Sequence, residues 1–360
     1  MKKKFLLLII TLIFLVIILE GVLKIFYPQN LGGWYSERDY AGLNILKKNL
    51  IYHHRINNRN IKYTFGSFNN RITTKNNYNK ENKILILGDS FTFGWLVNDD
   101  HIFVNHLQNY YKKYFFINPS VPGWGTSDYV RFTENYCNKI KPNKIIVMLN
   151  TDDFSRAWLS NLYKFKITDL ENINENLVEL GFEKQLNYNS KYHKIPFYKF
   201  FVSNSHLFVL IRQVVVDLKN KNFNLFKKFQ LTNEESKNEI NKYKPSQTLG
   251  EDYLKGNILG KILLLRLKDI SVSCGSELIV IYSGWWDYKN NHHEYNPTLY
   301  FLNGAKTFFK KNNIKYYDFV EEMKNVHQNY SEYSILNDGH PNELAHRIIA
   351  DKIIKKLFLH

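Results

Sequence analysis

The sequence predicts an α/β protein: a mainly parallel sheet flanked by helices, with an N-terminal transmembrane helix and a helical insertion. Three observations predict it. Short apolar runs alternate with stretches of helical spacing from residue 83 to the C-terminus. Polar and glycine residues collect where those runs end. The first thirty residues carry a long run without charge. A hydrophobic fraction of 44% and an aromatic fraction of 16% over 360 residues supply a substantial core and exclude general disorder.

Lys2, Lys3 and Lys4 precede "FLLLIITLIFLVIIL", Phe5 to Leu19, in which Thr11 is the one polar residue. "EGVLKIF" prolongs the pattern past Glu20. A soluble helix would need a polar face, so the choice lies between a cleaved signal peptide and an uncleaved anchor. No small-residue cleavage pattern follows the run. A helix from about Phe5 to Phe26 meets the roughly 20-residue requirement for spanning a bilayer. The expected arrangement is a single-pass anchor in the cytoplasmic membrane, lysines inside and everything after residue 30 outside. The lipid bilayer, through residues 5–26, is then the first partner. The predicted organisation is 1–30 anchor, 31–80 an irregular aromatic and Asn-rich connector, and 81–360 an α/β domain with an insertion at about 155–245.

The formal charge of +16 comes from lysines scattered among Asn, Tyr and Ile. No nucleic-acid-binding pattern accompanies it, so no nucleic-acid partner is expected. Attraction to anionic lipid or polysaccharide is better supported. Cys137 and Cys274 are distant in sequence, and two separate buried thiols is the plainer expectation, a disulfide the alternative.

The elements follow in order. Lys83 to Leu87 reads as a buried strand, and "DDHIFVNHLQNYYKKY" has helical spacing. "FFINPSVPGWGT" is a short strand ending in a Pro/Gly loop. "SDYVRFTENYCNKI" is helical, with Ser127 or Thr126 as cap. "NKIIVMLNTDD" is an apolar strand ending in polar residues. The pattern degrades from 155 to 245, apart from helices such as "HLFVLIRQVVVDL". Helix "EDYLKGNILGKILLLRLKDI", strand "ELIVIYSGWW", helix "LYFLNGAKTFFKKN", strand "IKYYDF" and helix "NELAHRIIADKIIKKLF" close the chain. Ser90, Gly123 and the Asp152-Asp153 pair should then lie along one sheet edge, where open α/β folds build their sites.

"GDS", Gly88 to Ser90, is either a strand stop with a helix cap or a nucleophile presented at that edge. A serine needs an imidazole to take its proton, and the imidazole needs an anion. "LNDGHPNELAHRIIADKI" offers both, with Asp338 and His340 just before a helix that Pro341 can open and Asn342 can cap. Read alone, Asn-Asp-Gly is a chain reversal without chemistry; paired with Ser90 it completes a triad.

"ILGDSFTFG", "NPSVPGWGT", "MLNTDDF" and "DGHPNELAHRIIADKI" together resemble the successive blocks of the SGNH (GDSL-type) hydrolases, over about residues 80–154 and 250–358. The pattern differs from the Gly-x-Ser-x-Gly of α/β-hydrolases, since Thr92 stands where the second glycine would. The resemblance implies a flavodoxin-like fold, Ser90 as nucleophile, His340 as base and Asp338 as its partner. It implies an oxyanion hole from the N–H groups of Ser90 and Gly123 and an Asn side chain after the third strand. Here the aligned pair is Asp152-Asp153, with Asn150 two residues earlier. Either Asn150 supplies the amide, or Asp152 is protonated, or the hole has two donors. The commoner family spacing, Asp-x-x-His, would put Asn337 in the orienting place; Asp338 is the expectation here.

Trp124, Trp285 and Trp286 fall in loops at strand ends and are expected to rim the cleft as substrate-binding residues. The doublets His53-His54 and His292-His293 lack metal-ligand spacing and read as surface residues, so no metal is expected. His101 and His106 lie on an amphipathic helix, and His346 reads as structural. No cofactor is implied. The expected activity is a membrane-anchored serine esterase removing acyl groups, O-acetyl above all, from an extracytoplasmic acylated glycan. An O-acyltransferase using the same triad and a catalytically degenerate glycan-binding domain are the alternatives.

Overall fold

The computed structural model describes residues 2–27, 29, 31, 35–56, 59–72, 81–150, 152–160, 162–165, 182–184, 196–219, 251–282, 305–319, 323, 326, 329–336 and 338–358. The chain opens with helix α1 (Lys2–Phe26), then runs through the short strands β1 (Ser36–Arg38), β2 (Asn44–Leu46), β3 (Ile51–Ile56) and β4 (Arg59–Thr64). β1 pairs with β2, and β3 with β4. Among its described residues, the stretch read as an irregular connector carries two small two-stranded sheets. In β4, Ile61 and Tyr63 alternate inward between polar neighbours, a period-2 pattern that Asn and Lys at the outward positions disguise.

Next come β5 (Lys83–Leu87), α2 (Ser90–Phe93), α3 (Phe103–Tyr110), β6 (Phe115–Ile117), α4 (Thr126–Ile140), β7 (Lys144–Leu149) and α5 (Asp152–Leu159). β8 (Tyr163–Phe165) and β9 (Phe182–Lys184) pair antiparallel. Within the predicted insertion lie helices α6 (Tyr198–Asn204) and α7 (His206–Lys219). The chain ends with α8 (Glu251–Ser273), β10 (Glu277–Tyr282), β11 (Lys315–Asp318), α9 (Tyr330–Tyr333) and α10 (Glu343–Leu357).

β5, β6, β7, β10 and β11 form one five-stranded sheet in the order β11-β10-β7-β5-β6. Every pairing in it is parallel. Ile84 to Leu87 of β5 and Ile145 to Val147 of β7 are fully buried. Strands covered on both faces need such unbroken apolar runs. Chain order moves outward from β5 to β6 on one side and then returns to β7 on the other. The reversal opens a crevice beyond the carboxyl ends of β5 and β7, the place where ligand sites arise in open α/β sheets.

Two compact units are present. The sheet and its helices form the larger; α1, α6 and α7 lie in the smaller. α1 is one helix long and apolar enough to cross a membrane. Its side chains from Phe5 to Leu19 are almost all exposed.

Cys137 of α4 and Cys274, just past α8, form a disulfide with Cα atoms 6.3 Å apart. The expectation of two separate thiols is corrected: α4 packs along α8, which brings together residues 137 positions apart.

Candidate active site

β5 delivers its last buried residue, Leu87, into Gly88-Asp89-Ser90. Asp89 caps the short helix α2, its Oδ1 accepting the Phe91 N–H at 2.9 Å. Ser90 is thereby the first residue of a helix standing at the sheet edge, with its N–H at the positive end. The Asp89 carboxylate is fully buried and also accepts Asn150 Nδ2 at 3.0 Å and Arg156 Nη1 at 2.7 Å. The turn is thus more than a strand stop, being tied to the residues that follow β7.

The imidazole arrives from the far end of the chain. Ile335 N–H donates to the His340 carbonyl at 2.8 Å, closing a tight loop before α10. Asn342 Oδ1 accepts the N–H groups of Leu344 and Ala345, both at 3.1 Å. Asn342 is therefore the cap, and Pro341 lies one residue outside the helix instead of opening it. His340 Nε2 is 2.8 Å from Ser90 Oγ, and His340 Nδ1 is 2.5 Å from Asp338 Oδ1. The rings of Phe91 and His340 lie 4.9 Å apart. The His340 and Asp338 side chains are 19% and 17% exposed, so the cluster is reachable from solvent yet largely desolvated.

Asp338 has a partner that the sequence reading missed. Trp95 Nε1 donates to Asp338 Oδ2 at 3.3 Å. Burial would raise the Asp338 carboxyl, but hydrogen bonds and charge from His340, with Trp95 adding to them, outweigh it and hold the group below its ordinary value. The signal was five residues past Ser90, directly after the block that ends at Gly94. Replacing Trp95 with Phe is expected to lower kcat about tenfold, the low end for a bond to a charged acceptor, with KM unchanged. In an Asp338→Asn background the same change should cost nothing further. An equal loss in both backgrounds would show that the indole acts by packing alone.

The oxyanion candidates divide. Gly123 has φ of +86°, a left-handed conformation suited to glycine, and a Cβ there would meet nothing within 4 Å. Next to it, a Cβ on Gly125 would lie 2.6 Å from the Asp153 carbonyl. This close approach seats the start of α4 against α5. Gly125, not Ser127 or Thr126, is the cap position of α4; Asp128 Oδ2 accepts its N–H at 3.0 Å. Burial pushes the Asp128 carboxyl up to about 6. Among the described residues, neither the Ser90 nor the Gly123 N–H has a hydrogen-bond acceptor.

Asn150 commits one of its two amide hydrogens to Asp89. Asp152, the aligned position, has a carboxylate 61% exposed with Oδ2 at 3.6 Å from Arg156 Nη2. Asp153 is fully buried and accepts the Asn150 N–H at 2.8 Å. Burial and the neighbouring Asp89 push its carboxyl well above the ordinary range, against the pull of Arg156. One guanidinium thus faces three carboxyls, one of them favouring its proton. Arg156 was also missed; its spacing of four from Asp152 on a helix was the available signal.

Trp124 does not rim a cleft. It is 2% exposed, its Nε1 donates to the Asn44 carbonyl at 2.8 Å, and its ring packs on Phe132. Trp285, Trp286, Asn337, His292 and His293 lie outside the described residues. His53 is exposed but His54 is buried, so that doublet is not wholly a surface pair. His101 is exposed and His106 half-buried. His346 is buried, accepts the Phe103 N–H at Nδ1, and is held neutral by desolvation, its value lowered to about 3. The described residues contain no cluster of metal-ligating side chains.

No family model matches the chain, and no curated relative does. Solved structures overlap with it at low similarity. A member of the lipolytic protein G-D-S-L family from Veillonella parvula DSM 2008 has 14% identity over 76% of this chain and 97% of that one, with a TM-score of 0.39. A psychrotrophic esterase from Pseudoalteromonas sp. has 13% identity over 78% and 100%, with a TM-score of 0.38. The acetyl xylan esterase AlAXEase has 10% identity over 77% and 100%, with a TM-score of 0.41. In the order of its sequence blocks, its parallel sheet and the meeting of Ser90, His340 and Asp338, this chain resembles the SGNH (GDSL-type) hydrolases.

Proposed function

We propose that the protein is a serine esterase that removes acyl groups, O-acetyl above all, from an acylated glycan outside the cytoplasm. One observation carries the reading: His340 Nε2 lies 2.8 Å from Ser90 Oγ while Asp338 occupies the other ring nitrogen. With Nδ1–H donated to Asp338, Nε2 is the acceptor that a general base requires. Ser90 Oγ attacks the acyl carbonyl as its proton passes to His340 Nε2. The N–H groups of Ser90 and Gly123 stabilise the oxyanion. His340 then protonates the departing sugar alkoxide, leaving an acyl-Ser90. Water attacks that ester, giving its proton to His340, and the carboxylic acid leaves with Ser90 Oγ reprotonated.

The glycan and the compartment have separate support. Two of the overlapping structures are an acetyl xylan esterase and an acetyl-xylooligosaccharide esterase, which favours this substrate class. The disulfide suits an oxidising compartment, and α1 is read as the anchor, with Lys3 and Lys4 on the cytoplasmic side.

The test uses the full chain in detergent. An activated acetyl ester should give a burst of alcohol, and a serine-reactive phosphonate should label Ser90 by mass spectrometry. The Ser90→Ala variant should show neither. Absence of both burst and label in the unaltered protein would leave a binding domain in place of an enzyme. Acetylated glycan appearing instead of free acetate would assign the acyl group to a sugar acceptor.

A further inference from the structure

We propose that helices α6 and α7 form a second membrane-seated element, lying in the outer interfacial layer of the bilayer beside α1. The inference rests on reading α1 as a bilayer span and extends it to a part of the insertion that the esterase chemistry leaves unexplained.

It begins with Glu20. Phe5 to Leu19 carries no charge, and its one hydroxyl is satisfied within the helix, Thr11 Oγ1 donating to the Leu7 carbonyl at 2.9 Å. At 1.5 Å per residue, Glu20 lies about 22 Å along the axis from Phe5. The hydrocarbon layer is about 30 Å thick. A span that starts near Phe5 therefore carries Glu20 into the outer third of that layer, where an unpartnered carboxylate is costly.

Glu20 is not unpartnered. Oε1 accepts the His206 N–H at 2.6 Å, and Oε2 accepts the Leu207 N–H at 3.0 Å and Ser205 Oγ–H at 2.8 Å. These are donors at the first turn of α7, the positive end of its dipole. A second tie follows, the Gln29 N–H donating to His206 Nδ1 at 2.8 Å. All these residues belong to one compact unit. The start of α7 is therefore held at the depth of Glu20.

What α6 and α7 expose fits that depth. Phe197 is 75% exposed and Phe200 54%, with Phe201 exposed beside them. On α7, Ile211 is 53% exposed and Val215 lies one turn further along the same face. Phe201 and Phe208 stack at 5.5 Å and Tyr198 meets Phe208 at 5.8 Å, so the two short helices move as one piece. Exposed aromatic and aliphatic side chains continuous with an apolar span match the headgroup–acyl boundary, where amphipathic helices lie in the plane.

The experiment places nitroxide labels on single introduced cysteines in the full chain, the native pair being disulfide-bonded. Phe201→Cys and Val215→Cys report on the proposed element. Phe14→Cys reports on α1, and Asp351→Cys on the exposed side of α10. Each protein is reconstituted in vesicles of phosphatidylcholine and phosphatidylglycerol. Collision rates with oxygen, which partitions into lipid, are compared with those of a water-soluble nickel chelate. Oxygen should dominate at 14, 201 and 215, and the chelate at 351. Chelate access at both 201 and 215 with oxygen access at 14 would overturn the inference while leaving α1 a span. Protection from both reagents at 201 and 215 would also overturn it, assigning the surface to a second copy or a protein partner. Chelate access at 14 as well would remove the membrane reading of α1 itself.

Discussion

Asp338→Asn is expected to lower kcat by about four orders of magnitude, the loss that follows when a triad aspartate becomes an amide. The folded state should persist, with an unchanged circular dichroism spectrum. Three donors converge on this carboxylate: His340 Nδ1–H and the His340 backbone N–H on Oδ1, and Trp95 Nε1–H on Oδ2. A carboxylate answers all three because both oxygens accept. An amide has one oxygen. If it faces Trp95, its NH2 group faces His340 Nδ1 and selects the tautomer with the proton on Nε2. That imidazole donates to Ser90 and cannot deprotonate it. If the oxygen faces His340 instead, the tautomer survives, but Trp95 Nε1–H meets NH2 and the anion that stabilises the imidazolium is gone. The measurement is kcat on an activated acetyl ester, with phosphonate labelling of Ser90 as a second readout. A loss below tenfold would remove Asp338 from the proposed orienting role.

That prediction turns on a spacing of two between aspartate and histidine, which the sequence displays but does not explain. Spacing alone left Asn337 in contention. Geometry supplies the reason, since the His340 backbone N–H and ring both turn to the same Oδ1 in a loop closed by Ile335 and His340. Elements buried on both faces were legible for a similar physical reason. β5 begins and ends where the apolar run does, because desolvation on two faces leaves no room for polar residues. The strands β1 to β4 were not legible, since runs of three to six residues rich in polar side chains carry too little period-2 signal.

Trp124 shows a different limit. A tryptophan after Pro-Gly at a strand end has the local appearance of a cleft rim. Its burial is decided by the Asn44 carbonyl, eighty positions earlier in the chain. The cysteines were ambiguous likewise, because only the packing of α4 on α8 brings them within bonding distance. What was readable at the site is what lies within one block, Gly88 to Ser90 or Asp338 to Asn342. What was not readable is convergence from several blocks, as at Arg156 and Arg71.

Arg71 carries the largest expected effect on stability. Its side chain is fully buried, and it binds the carbonyls of Phe93 at 2.6 Å, Gly94 at 3.0 Å and Val97 at 3.0 Å. Its Nη2 and Nε also donate to Asp99 Oδ1 at 2.7 and 3.1 Å. The guanidinium lies 4.7 Å from the Tyr63 ring centroid and 5.0 Å from that of Phe93. Phe93 and Gly94 end the one-turn helix that Ser90 begins, so this one cation ties down the two carbonyls at its end, while Asn118 Nδ2 donates to that of Thr92. Arg71→Leu strands the Phe93 and Val97 carbonyls and the Asp99 carboxylate, while the Gly94 carbonyl keeps the Val97 N–H, a loss of roughly 3–5 kcal/mol by comparison with other broken buried pairs. The thermal midpoint should fall by on the order of 10 °C. Adding Asp99→Asn to Arg71→Leu should recover only part of the loss, because the stranded carbonyls remain. Full recovery would place the whole cost on the carboxylate and remove the claim that Arg71 holds the turn beneath Ser90. Arg71→Lys should rescue little, since one ammonium cannot reach Phe93, Val97 and Asp99 together where a planar fork does. Trp95 lies between Gly94 and Val97 in that same turn, so a loosened turn should also slacken the Trp95–Asp338 bond and lower kcat well below the melting range.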